Sequence, residues 1–235
     1  MKNTMTAGLL AALGLCASLW ISTAQADGTS AGTVTLVTGH ASAATAAGGV
    51  RDLIKGGPVY QGETIITSSS SFVNIEFTDG GRVLLRPESR FAIERYQFAG
   101  GATQPAVQAG AAPAQQEGAF FHLLKGGFRA VSGLIGHVRH EDYAVQTPVA
   151  TIGIRGTDYE IRYCNGDCLD IQPVPKDGLY AGVKAGSIGL TNGNGTTVTG
   201  TNQYTFIGGA NVGGNIQTTP PPALGKGLPD PKTCN

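Results

Sequence analysis

The chain has 235 residues, 41% of them hydrophobic, and its 16 Lys and Arg balance 16 Asp and Glu to a formal net charge of zero. That length supports one domain with a sizeable core, or one domain with tails. The charge balance argues against a nucleic-acid ligand, which needs a basic face.

Met1-Lys2-Asn3 supplies one positive charge, Met5 to Ile21 is largely apolar, and Ala24-Gln25-Ala26 fits the small-x-small rule for cleavage. The expectation is a signal peptide over residues 1–26, an oxidising compartment beyond the cytoplasm (periplasmic or secreted), and Asp27 as the mature N-terminus. Leu15 before Cys16 is too bulky for a lipoprotein box. After residue 26 no run of about 18 uncharged apolar residues follows, as a second membrane span would require. The richest stretch, Ala119 to Gly136, contains Lys125 and Arg129.

Gly32 to Gly39 alternates like a half-buried strand, and the small residues from Ala41 to Gly49 read as a loop. Leu53 to Thr67 reads as two short strands around glycine turns. In the next stretch Val73, Ile75 and Phe77 oppose Phe72, Asn74, Glu76 and Thr78, and Asp79-Gly80-Gly81 reverses the chain into Val83-Leu84-Leu85, which predicts a hairpin. Phe91 to Tyr96 resumes the strand pattern. Residues 97–118 change character to Ala, Gly, Gln and Pro, and too little apolar surface is present to offset ordering entropy, so a surface insertion is expected there. From Ala119 to Val131 the apolar density returns; Gly126-Gly127 would cost about 1 kcal/mol each inside a helix, so this is read as strand.

Thr147-Pro148-Val149-Ala150-Thr151-Ile152-Gly153-Ile154-Arg155-Gly156-Thr157 is a Pro-initiated run of strand formers with one glycine step. Gly156 implies a bulge or a close backbone approach. Arg155 reads either as a core arginine pinning neighbouring turns or as an anion or partner contact; the structural reading is carried forward. Leu169 to Gln172 is expected as a brief strand. Leu179 to Lys184, Gly186 to Thr191, Thr196 to Thr199 and Gln203 to Ile207 form a meander, with Asn192-Gly193-Asn194-Gly195 as its hairpin turn. Beyond Gly208 a Gly, Asn, Thr and Pro tail over residues 208–235 is expected to be flexible or extended. The fold class is therefore all-β, roughly fourteen short, mostly antiparallel strands in a sandwich or a solenoid-like stack.

Lys125-Gly126-Gly127-Phe128-Arg129-Ala130-Val131-Ser132-Gly133-Leu134-Ile135-Gly136, followed by the Thr-Pro-Val-Ala and Ile-Arg-Gly-Thr elements above, resembles the FecR domain, a family named from the periplasmic part of an iron-dicitrate transport regulator. The resemblance covers residues 32–207 and places the domain at 27–207. It occurs in membrane-anchored signal transducers and in free-standing exported proteins. It implies a non-catalytic exported protein that binds an envelope or membrane protein in sensing or regulation, with Thr147, Pro148, Arg155, Gly156 and Thr157 as the partner-binding or structural motif.

Without the leader, Cys164, Cys168 and Cys234 remain. The turn-forming Asn165-Gly166-Asp167 brings Cys164 and Cys168 within reach of a disulfide, with pairing of Cys234 to either as the alternative. The spacing is wrong for a thioredoxin-type motif and the loop offers too few ligands for a metal. His137 and His140, in the polar run from His137 to Asp142, are read as part of a solvated strand end or turn rather than a metal site. No Gly-x-Ser-x-Gly elbow or paired acid motif appears, so no enzyme activity, cofactor or metal is expected. A second reading is a carbohydrate- or cell-wall-binding module, with Tyr60, Tyr96, Tyr180 and Tyr204 as glycan-stacking platforms.

Overall fold

The computed structural model describes residues 30–100, 117–225 and 227–233. The expected leader, most of the 97–118 insertion and Cys234 lie outside them. The first half of the chain forms β1 (Ser30–Thr38), β2 (Ala41–Thr45), β3 (Val50–Asp52), β4 (Pro58–Tyr60), β5 (Glu63–Thr67), β6 (Phe72–Phe77), β7 (Arg82–Leu85) and β8 (Arg90–Gln97). The second half forms β9 (Gly118–Val131), the single-turn helix α1 (Leu134–Val138), a 3-10 turn at His140–Asp142, β10 (Tyr143–Gln146), β11 (Thr151–Cys164), β12 (Gly178–Asn192), β13 (Gly195–Gly200), β14 (Tyr204–Ile207) and β15 (Asn215–Gln217). A second 3-10 turn, Pro222–Leu224, follows.

The protein is all-β, and the 15 strands among the described residues join in one hydrogen-bonded network. Most neighbours are antiparallel; β9 and β10 run parallel. Two long strands, β9 and β11, each serve more than one ladder. The first half of β9 pairs with β8 and β10, as in Ile93↔Phe121 and Val145↔Phe121. Its second half pairs with β7 and β11, as in Val83↔Ala130 and Tyr159↔Ala130. The network therefore divides at β9 into a β8–β5–β2–β3 branch and a β7–β6–β1–β4 branch.

The branches face each other across one core. Phe77 of β6 lies 5.1 Å, ring to ring, from both Tyr96 of β8 and Phe121 of β9. Phe91 of β8 stacks on Phe121 at 5.1 Å and meets Phe128 edge-on at 5.4 Å, and Phe128 meets Tyr159 of β11 edge-on at 5.7 Å. Each such pair contributes about 0.5–1.5 kcal/mol beyond the apolar area it buries. The expected all-β class holds, and the described strands form one mixed sheet that branches at β9.

The predicted hairpin is β6–β7, with Val73↔Leu85 and Glu76↔Arg82 in register and Gly80 at a positive φ of 82°. Several local expectations are corrected. Residues 41–45 form a strand because Ala41 and Ala43 are small enough to be buried between β3 and β5. Leu169–Gln172 is a turn, since the disulfide loop doubles back there. The two strands expected over 179–191 are one strand, β12, which bends at Gly186 without ending. The polar run from His137 to Asp142 lies in α1 and a 3-10 turn rather than at a strand end; α1 is too short for a sequence period, and its Ile135 N–H is capped from a distance by the Asp79 carboxylate at 3.2 Å. Of the tail 208–235, expected to be flexible or extended, the described residues after Pro220 pack on the domain, with Ala223, Leu224 and Leu228 buried.

Candidate binding face

The motif residues on β11 act first on the path of the chain. The Thr147 hydroxyl donates to the Ala150 carbonyl at 2.7 Å and accepts from the Ala150 amide at 3.1 Å, closing the turn between β10 and β11, with Pro148 exposed at its tip. Further along, the β11–β12 register shifts between Arg155 and Asp158. Gly156 has φ of 54°, and a Cβ there would come within 2.7 Å of His137 Nδ1. The next residue, Thr157, is buried, and its hydroxyl accepts from the Arg155 amide at 3.1 Å and donates to the Ser187 carbonyl at 2.8 Å. Its amide donates to Ser132 Oγ at 2.8 Å, and its carbonyl accepts from the Ser132 amide at 3.0 Å. Before this bulge β11 pairs with β10; after it, with β9. The Gly-Thr step is thus a lock that hands β11 from one branch to the other.

A matching device sits on β9. Gly126, at φ of 78°, approaches Ser89 more closely than any side chain would permit. The Ser89 hydroxyl donates to the Gly127 carbonyl and accepts from the Gly127 amide, both at 3.0 Å. β9 leaves β8 and joins β7 at this point.

Beyond the locks, the outward side of β6, β7, β9 and β11 carries charge. Arg129 forms a forked pair with Asp158, Nε to Oδ1 at 2.9 Å and Nη2 to Oδ2 at 2.7 Å. Arg86 pairs with Glu160. Burial pushes the Glu160 carboxyl above its ordinary value, against the opposing pull of Arg86, and lowers the Arg86 guanidinium; the Asp158 hydrogen bond raises Arg129. Arg162 reaches Asp170 at 2.6 Å and Arg82 reaches Glu76 at 3.0 Å.

Across this face lies a C-terminal strap, residues 221–225 and 227–232, whose backbone turns at Pro222–Leu224. It is held largely by its own main chain. Arg86 donates to the Leu224 carbonyl at 2.8 Å, Arg129 to the Leu228 carbonyl at 2.7 Å, Asn74 to the Pro231 carbonyl at 2.8 Å, Arg82 to the Lys232 carbonyl at 2.9 Å and Arg162 to the Ala223 carbonyl at 3.4 Å. The Leu228 amide donates to Glu160 at 3.2 Å. Ala223 and Leu224 enter a small second core with Tyr180, Cys164 and Cys168. The sequence held one signal for this: Arg82 on β7, Arg86 just after it, and Asp158, Glu160 and Arg162 on β11 are spaced by even steps, as residues of a solvated face would be.

The sequence-predicted site residues divide. Gly156 and Thr157 are structural, and Thr147 and Pro148 form the turn before them. Arg155 departs from the expectation of a core arginine: its side chain is exposed, and among the described residues its guanidinium has no acceptor. Because positions 155 and 157 are separated by the bulge, Thr157 turns inward and supplies the contacts expected of the arginine. Arg155 borders an open groove of about 690 Å³ with Ser187, Gly189 and Val198. Cys164 and Cys168 form the expected disulfide. His137 contacts Ser132 at 3.4 Å and His140 the Gly136 carbonyl at 2.7 Å, so the two rings serve different neighbours. Of the four proposed glycan platforms, Tyr96 and Tyr180 are buried and Tyr60 and Tyr204 half-buried. They do not make an exposed stacking surface.

Comparison with known proteins adds the following. The family model described as FecR protein matches residues 63–169, from the start of β5 to just past Cys168. A solved structure called a cell surface anchoring domain shares 33% identity over 27% of this chain and 83% of its own, with a TM-score of 0.26. Two crystal structures of a protein from Parabacteroides distasonis, provisionally described as an anti-sigma factor, share 14% identity over 68% of this chain and 61% of theirs, with a TM-score of 0.44. No curated protein matches the sequence. Among the described residues no helix is long and apolar enough to cross a membrane. The matched segment, residues 63–169, holds both locks and the charged pairs between them, and over that segment the chain is similar to the FecR protein family.

Proposed function

We propose that this is a non-catalytic FecR-domain protein of the bacterial envelope, periplasmic or secreted, that binds an envelope or membrane protein in sensing or regulation. The observation that carries the reading is the FecR match over residues 63–169. The disulfide between Cys164 and Cys168 agrees with an oxidising compartment. In this reading residues 1–26 are a removable leader, the domain spans 27–207 with an insertion at 97–118, and a membrane-embedded partner carries any signal across the bilayer.

The test is a pull-down from detergent-solubilised envelope with the mature chain immobilised. Stoichiometric recovery of one membrane protein is the expected result. Retention on purified cell-wall glycan with no protein recovered would replace this reading with a carbohydrate-binding one.

A further inference from the structure

The strap is bound in an unusual manner for a core element. Five side chains, four on β6, β7, β9 and β11 and Arg86 just after β7, donate to five of its carbonyls, and one carboxylate accepts from its Leu228 amide. Contacts of this kind read a main chain rather than a sequence. Specificity then falls to the two leucines four positions apart, Leu224 and Leu228, which are 3% and 7% exposed, and to the buried Pro221 and Pro231 that bracket them. Proline at those positions fixes φ and lowers the entropic cost of holding the segment in its bound path.

The binding face also outruns its occupant. A cleft of about 410 Å³ opens beside the strap, lined by Phe72, Arg86, Glu88, Arg162 and Asp170, so Arg86 and Arg162 face both the strap and open space. The segment before the strap, Thr218 to Pro220, is exposed, which leaves the strap free to peel from that end.

We infer that the face formed by Arg82, Arg86, Arg129, Glu160 and Arg162 is a peptide-docking groove, and that the strap is its resident cis occupant. The incoming ligand is a segment of a partner protein that is bracketed by prolines, turns as the strap does at Pro222–Leu224, and carries two leucine-sized side chains four positions apart. Such a segment takes over the same donors and the same two apolar sites, and the displaced C-terminus becomes accessible. This rests on the partner-binding reading above, but its test uses a synthetic peptide and no envelope extract, so the two can fail separately.

The experiment uses the full mature chain with a protease site introduced at residues 218–220, cut after folding, and a fluorescein-labelled peptide of residues 219–233 as the probe. Under native conditions the labelled peptide should replace the nicked strap, seen as a rise in anisotropy at unchanged circular dichroism. A peptide with both Leu224→Ser and Leu228→Ser should bind at least about tenfold more weakly, since burying two leucines is worth more than the 1.4 kcal/mol that a factor of ten represents. Entry of label only after the domain unfolds would make the strap an integral part of the fold and overturn the inference. Equal uptake of both peptides would also overturn it, as would nicked chains that instead form dimers by exchanging straps.

Discussion

β11 carries two kinds of fastening within five residues, and they differ in every physical respect. At Gly156 and Thr157 the contacts are uncharged and buried or partly buried, and they join backbone to hydroxyl where the β11–β12 register shifts. At Asp158 and Glu160 the contacts are charged, and through Arg129 and Arg86 they reach a segment from the far end of the chain. The lock has no alternative partner, because opening it leaves buried donors and acceptors unpaired. The latch has one in water, because its carbonyls and its ions regain hydration when the strap lifts. A single strand thus fixes the fold with one pair of residues and presents a removable cover with the next.

The largest effect that sharpens this contrast is expected at the lock. Gly156→Val forces a β-branched residue to a φ of 54° and drives its Cβ toward His137, which should destabilise the domain by about 3 kcal/mol, measured by urea unfolding. Thr157→Val keeps the volume and removes the hydroxyl that serves the Arg155 amide and the Ser187 carbonyl; about 2 kcal/mol is expected in the same assay. Arg129→Ala should cost only about 1 kcal/mol, because the strap can lift and hydrate Asp158. A loss of about 3–5 kcal/mol, the usual consequence of stranding one ion of a buried pair, would show that the strap stays down and would break the distinction.

The smallest effect concerns pH. The buried phenols of Tyr143 and Tyr159 are hydrogen-bonded at 2.8 Å, and burial raises both above the ordinary value of 10.0. A raised phenol contributes stability that is fully present below pH 10.0 and is lost as pH rises through the folded value. Alkaline titration followed at 295 nm should therefore show these two ionising together with unfolding. Smooth ionisation at their ordinary value in a folded protein would contradict their burial.

How much of this was legible beforehand depended on whether the cause was local. The β6–β7 hairpin was readable because Val73, Ile75 and Phe77 alternate and Asp79-Gly80-Gly81 can turn. The disulfide loop and the Gly156 bulge were readable for the same reason, since the turn residues and the glycine sit at the feature itself. Arg155 was misassigned because the bulge that Gly156 creates changes which side chain faces inward, and strict alternation cannot foresee a slip at the residue that breaks it. The strap was invisible. A tail of Gly, Thr and Pro carries no period, and what holds it is the main chain, which every sequence possesses. Its partners, Arg86 and Arg129, carried no local signal because their acceptors lie 138 and 99 positions away.

Amide hydrogen exchange in the intact chain tests the separation of lock from latch most directly, by comparing two named N–H groups: Thr157, bonded to Ser132, and Leu228, bonded to Glu160. Thr157 should exchange only with global unfolding, at the full unfolding free energy, while Leu228 exchanges through a smaller local opening that denaturant barely accelerates. Equal protection and equal denaturant dependence at the two amides would contradict the account, since strap and strand would then open as one unit.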